Sequence, residues 1–244
     1  MTQIFSGTNG RGPVTPPRDS LASHAAFDAV AVARAGNVKR ISDTRTTVSD
    51  LLEIHDDFDA SSRTRGKAFE DILALGKNED PEIRRAVIDE LVEAVKHRNP
   101  IAATLLGHLK DPRALPSLIE AAYDKSSYVM QCRQRALIAL GAMVYDSAIP
   151  ALMEAFSDYA VQGSAKEGIV LMGASAVPAL VRKLAGSRND KLRAVEILKD
   201  MGAQAQSALP DLEKRTQRWR EWDGKVREAA RSAIDTITVA VKTQ

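Results

Sequence analysis

Ala114-Leu115-Pro116-Ser117-Leu118, Ala148-Ile149-Pro150-Ala151-Leu152, Ala176-Val177-Pro178-Ala179-Leu180 and Ala208-Leu209-Pro210-Asp211-Leu212 are four copies of one phrase. Their prolines lie 34, 28 and 32 residues apart, and a recurrence of this length marks an array of stacked units. Proline has no N–H, so it belongs in the first turn of a helix, where donors are unpaired in any case. With Ser147, Ser175 and Ser207 as N-caps, each proline takes the third helical position. Arg113 holds the equivalent place in the first copy and is a poorer cap. Behind each proline the apolar spacing is helical, as in Val177, Leu180, Val181 and Leu184, so one side is buried and the other free.

A second helical run precedes each phrase and reaches a glycine: Leu106-Gly107, Leu140-Gly141, Met172-Gly173 and Met201-Gly202. Glycine tolerates the left-handed conformation that closes a helix. The unit is therefore two antiparallel helices joined by a glycine stop and a short turn. The expected fold is all-α, a right-handed α-solenoid of such pairs. Aromatic residues are only 5% of the chain, which suits helices packed through small side chains and not strands.

Residues 1–20 combine six Gly and Pro residues with Ser, Thr and Asn, too little apolar surface to offset the entropy of ordering. They read as a disordered tail whose composition would also suit a non-classical secretion signal. Residues 21–62 read as loosely packed helices: an Ala-rich run from Leu21 to Ala35, then a capping box at Thr47-Val48-Ser49-Asp50 that opens a helix through Ile54. Residues 63–244 form the solenoid. Asp80-Pro81 and Asn99-Pro100 each supply a cap and a proline at the first helical position. In the third unit Gly163 and Gly168 fall inside the first helix, each at a cost of up to about 1 kcal/mol against Ala, which makes that helix the expected loose link.

With the units in view, residues from about Arg63 to Val241 resemble HEAT-like repeat proteins, particularly the short bacterial type found in phycobilisome lyases. The resemblance rests on Lys110-Asp111-Pro112-Arg113-Ala114-Leu115-Pro116-Ser117-Leu118, on Ala136-Leu137-Ile138-Ala139-Leu140-Gly141 and on Val226-Arg227-Glu228-Ala229-Ala230. Tetratricopeptide repeats share the length, but their Trp, Gly, Tyr and Ala-x-x-x-Phe positions are not reproduced. The resemblance implies that the second helices line a concave side. It does not decide function, because the family includes scaffolds, adaptors and some enzymes.

Net charge is only +2, so no global field draws in nucleic acid. The distribution is uneven. On the second helices, positions away from the core stripe are Glu120, Ala121 and Asp124; Glu154, Ala155 and Asp158; Arg182, Lys183 and Gly186; and Lys214, Arg215 and Arg218. An acidic end and a basic end suit a protein segment of matching polarity, since complementary potentials steer encounter and fix register. A solvated face with no ligand is the alternative reading. Trp219 and Trp222, the only tryptophans, lie among Arg215, Arg218, Arg220 and Lys225; they either pack the turn before the last helix or anchor a partner.

The expected function is thus a non-enzymatic scaffold or adaptor binding another protein, without cofactor or metal. Two alternatives stay open: a bilin lyase or its accessory subunit, from fold analogy, and nucleic-acid binding through the basic end. The four histidines lack metal or catalytic spacing, and neither a phosphate loop nor a nucleophile elbow appears. His55-Asp56-Asp57-Phe58-Asp59 is metal-like, but an EF-hand begun at Asp57 would place Ser62 and Ala68 where Gly and Glu belong. Cys132 has no cysteine to pair with. No apolar run approaches the roughly 18 residues of a membrane helix, and no secretory leader is evident, so a cytoplasmic location is expected.

Overall fold

The computed structural model describes residues 40–56, 61–126, 130–218 and 221–243. The chain divides into two compact units, 1–43 and 44–244. Of the first, only residues 40–43 are described, and they are helical. The expected tail and the helix from Leu21 to Ala35 lie outside the described residues.

The second unit is an α-solenoid with no strand among its described residues. It opens with α1, residues 44–56, whose Val48 and Leu52 are buried. Thr47 does not open a helix as expected: it lies inside a helical run that began upstream. Two further helices follow, α2 (Ser62–Gly76) and α3 (Pro81–Lys96). The Asp80 carboxylate accepts from Glu82 N at 2.9 Å, the cap its sequence predicts.

Four phrase-bearing pairs come next. Their first helices are α4 (Pro100–Leu109), α6 (Met130–Met143), α8 (Gln162–Met172) and α10 (Arg188–Asp200). Their second helices are α5 (Leu115–Tyr123), α7 (Ile149–Ala155), α9 (Val177–Lys183) and α11 (Leu209–Thr216). The last helix, α12 (Gly224–Lys242), packs on α10 and α11.

Pro116, Pro150, Pro178 and Pro210 all occupy the second position of a second helix, so the four copies are structurally equivalent. The serines do not cap, however. Ser147, Ser175 and Ser207 sit inside 3₁₀ turns that lead into the α-helix, and the residue before each helix is an αR alanine without a side-chain bond. A 3₁₀ entry already supplies i→i+3 bonds to the first turn, so no hydroxyl is needed there. The alanine of the phrase instead points inward: Ala114, Ala148, Ala176 and Ala208 are at most 1% exposed, as are Leu118, Leu152, Leu180 and Leu212.

The glycines divide into two kinds. Gly173 (φ 63°) and Gly202 (φ 55°) follow the ends of their helices at positive φ, which glycine adopts without steric cost, although Gly173 at ψ −141° lies outside the left-handed helical region. Gly107 and Gly141 are instead buried inside α4 and α6, and the stops fall three residues later at Lys110 (φ 55°) and Val144 (φ 58°). Their missing side chains let helices touch through backbone. A methyl on Gly107 would lie 2.8 Å from Ala139 Cα, and one on Gly141 would run into the backbone of Gly168. Gly168, expected to loosen α8, is instead a point of close backbone approach between α8 and α6; its own added Cβ would sit 2.5 Å from Leu137 O.

Beyond α8 the layer of first helices changes character. The helices α4, α6 and α8 pack along their lengths, whereas α8 and α10 touch sparsely. Lys166 bridges that seam, with Nζ 2.5 Å from Glu196 Oε1 and 2.7 Å from Asp200 Oδ2.

One stretch, Gln162–Lys183, has a mean hydropathy of 1.2 and the length to cross a membrane, against the expectation of no such run. Half of it is buried in the fold, and Gly173, at φ 63° and ψ −141°, breaks it into the separate helices α8 and α9. Its apolarity serves the packing of a helix pair.

Candidate protein-binding faces

The second helices carry charges near their C-terminal ends because the buried stripe leaves those positions facing out. The structure sorts these charges into two groups. Glu120 on α5 and Arg182 on α9 are exposed, and neither has an ion-pair partner among the described residues. Arg218, just past α11, is the same.

The other predicted residues are engaged within the array. Asp124 accepts from Ser126 N at 3.0 Å and pairs with Arg98 Nη1 at 2.5 Å. These bonds hold its carboxyl below the usual range, the Ser126 amide first. Asp158 pairs with Arg133 Nη1 at 2.7 Å, and that bond, with a donor from Ala160 N, lowers its pKa likewise. Glu154 and Lys125 lie 3.3 Å apart and exposed. Lys183 Nζ reaches Ser157 Oγ at 3.5 Å, and Lys214 pairs with Asp211 at 2.8 Å. Ala121 and Ala155 are buried, so they belong to the core and not to a surface.

Arg133 was not singled out by the sequence, although it stands on the core stripe with Ala136, Leu137 and Leu140. It is 3% exposed, donates from Nε to Ala122 O at 2.9 Å and reaches Asp158 with Nη1. One side chain thereby ties the end of α5 to the segment after α7. A charge on an apolar stripe was the available signal.

Near the basic end, Glu221 is only 4% exposed and accepts from Lys191 Nζ at 2.8 Å, with Arg215 Nη1 at 3.8 Å. Burial opposes its ionisation, but the Lys191 bond and the Asp223 amide outweigh it and lower the pKa. Arg215 is accordingly half committed to the fold. Trp219 lies outside the described residues. Trp222 does not pack the turn: it is 83% exposed, and only its carbonyl is used, accepting from Arg227 Nη1 at 3.0 Å.

Among the described residues no group of three or more His, Cys, Asp or Glu side chains could hold a metal ion. Part of the cluster from His55 to Asp59 lies outside them. Cys132 is buried with Sγ 3.7 Å from Asn99 O, and burial raises its pKa, which leaves an inert thiol.

Residues 101–124 and 133–158 match the family described as PBS lyase HEAT-like repeat. These are the α4/α5 and α6/α7 pairs, so this part of the chain carries HEAT-like repeats, and helix pairs of the same build flank it. No curated protein matches it significantly. Among solved structures it is similar to human deoxyhypusine hydroxylase in complex with glycerol, at 18% identity and TM-score 0.34, over 83% of this chain and 90% of that one. An engineered protein is similar at 17% identity and TM-score 0.38, over 79% and 97%. A designed armadillo repeat protein in complex with the peptide (KR)4 is similar at 15% identity and TM-score 0.39, over 77% and 98%. Likeness this distant says nothing of activity or ligand.

Proposed function

We propose that this protein is a non-enzymatic scaffold or adaptor that binds a protein partner through the concave side of the solenoid, on the face of its second helices turned away from the core. HEAT-like repeats usually mediate protein interaction. The observation that carries the reading is polarity along that face: Glu120 and Glu154 stand exposed in the first two phrase-bearing pairs, and Arg182 and Arg218 are unpaired further on. Unpaired charges of opposite sign at two ends select the direction in which a complementary segment lies. Asp124, Asp158, Lys214 and Arg215 contribute less, because ionic partners within the array already offset them, and Lys183 is drawn to the Ser157 hydroxyl. Trp222 is an exposed aromatic beside this end, the residue type that dominates binding hot spots. The same proposal includes a cytoplasmic location and no cofactor.

Reversing charge at the exposed Glu120, Glu154, Arg182 and Arg218 together is expected to abolish capture of the native partner while the helical circular dichroism stays unchanged. Unaltered capture would reject this face. Trp222 among Arg218 and Lys225 favours one second reading, a single-stranded nucleic acid stacked at the basic end. Binding to an oligonucleotide that falls steeply with salt and is lost in Trp222→Ala would establish it instead. The lyase alternative rests on the family's description alone, and absorbance of bound bilin after incubation tests it.

A further inference from the structure

The opposite face of the array, formed by the first helices, holds a groove that none of the second-helix charges line. The close approach of α4, α6 and α8 leaves small residues, Gly107, Ala139 and Ala142, as its floor. Ile138 and Leu171 rise from its sides, and Leu171 is 46% exposed. It encloses about 330 Å³, near the lower limit of roughly 300 Å³ for ligand pockets, which is room for one large apolar side chain.

Two charges stand at its rim, Arg135 from α6 and Glu167 from α8. Both are exposed, and neither has an ion-pair partner among the described residues. This contrasts with the neighbouring seam, where Lys166 is clamped by two carboxylates. An apolar floor between two unneutralised charges of opposite sign matches an occupant of complementary pattern. On the other side of Arg135 and Ile138 the groove continues into a polar stretch with Gln131 and Gln134. Neither glutamine amide is engaged among the described residues, and an amide can both donate to and accept from a peptide backbone.

We propose that this first-helix groove docks a peptide segment that presents one large apolar side chain between an acidic and a basic residue. The apolar side chain enters between Ile138 and Leu171, the acid faces Arg135, the base faces Glu167, and the adjoining backbone runs past Gln134. This site does not depend on the second-helix face.

The test is selection from a displayed random-peptide library against the full chain, with the chosen peptides then measured as free synthetic peptides. The expected consensus is acid, large apolar residue, base, in one fixed order. Ala142→Trp, which fills the floor, is expected to weaken those peptides about tenfold or more. Arg135→Glu combined with Glu167→Arg alters only exposed side chains and is expected to select the reversed charge order, so the proposal stays testable if Ala142→Trp does not fold. Three results would overturn it: no enrichment, peptides indifferent to the charge swap, or self-association of the chain that Ala142→Trp removes, which would make a second copy the occupant.

Discussion

The contact of α6 with α8 and the contact of α8 with α10 join the same kind of helix in the same layer, yet they are built oppositely. The first is made by absence: Gly141 and Gly168 meet with no side chain between them, and any added carbon would strike backbone. The second is sparse and spanned by the long side chain of Lys166 reaching Glu196 and Asp200. Backbone contact is short-ranged, indifferent to salt and intolerant of added volume. A partly exposed ion-pair cluster tolerates displacement and weakens as salt screens it. The array should therefore behave as a stiff block through α8 followed by a yielding seam.

The largest effect is expected at the stiff contact. Gly141→Ala should cost about 3 kcal/mol or more, because neither backbone can give way without separating the helices; a thermal melt followed by circular dichroism measures it. Asp158→Ala comes next. It removes the carboxylate bonded to the buried Arg133 while leaving the bond to Ala122 O and the nearby charge of Asp124, so the loss should fall to about 2 kcal/mol, below the range for a fully buried pair. The pH dependence follows from the depressed Asp158 pKa. Its stabilisation is present above the unfolded carboxylate value of about 3.9 and is lost as pH falls toward the lower folded value. Acid titration of the melting temperature should thus show a drop below about pH 4 that is smaller in Asp158→Ala.

A smaller effect, of opposite sign, separates the two glycines of α8. An added methyl at Gly163 meets nothing within 4 Å, so Gly163→Ala should stabilise by about 0.4 to 1 kcal/mol through helix propensity and unfolded-chain entropy. Denaturant unfolding of that variant beside Gly168→Ala checks whether position, and not glycine as such, sets the sign. Lys166→Met at the seam should change stability by no more than this, at most about 1 kcal/mol in low salt, and the change should vanish in high salt.

These differences also mark what the sequence disclosed. The register was legible because proline at Pro116, Pro150, Pro178 and Pro210 has one tolerable place near a helix start, and because Leu118, Leu152, Leu180 and Leu212 follow at fixed spacing. The manner of entry was not. A serine before a helix looks the same whether it caps an α-turn or sits in a 3₁₀ turn, and only backbone angles separate the two. Glycine was misread for a similar reason. Gly107 and Gly141 stand near helix ends, as stops do, but their use is decided by Ala139 and Gly168 on neighbouring helices, which spacing along the chain does not reveal. On the candidate face, charge sign could be read, whereas pairing could not: Asp124 and Asp158 are absorbed by Arg98 and Arg133, while Glu120 and Arg182 are left open. The first-helix groove gave no linear signal, because its floor is made of the small residues that also make the helices pack.

Amide hydrogen exchange of the native chain at low and at high salt decides whether α8 belongs to the stiff block and α10 lies beyond a yielding seam. Slow exchange is expected in α6 and α8 at both salt concentrations, with α10 exchanging faster and accelerating further in high salt as the Lys166 cluster is screened. Exchange in α6 and α8 as fast as in α10, or a salt response confined to α6 and α8, would contradict it.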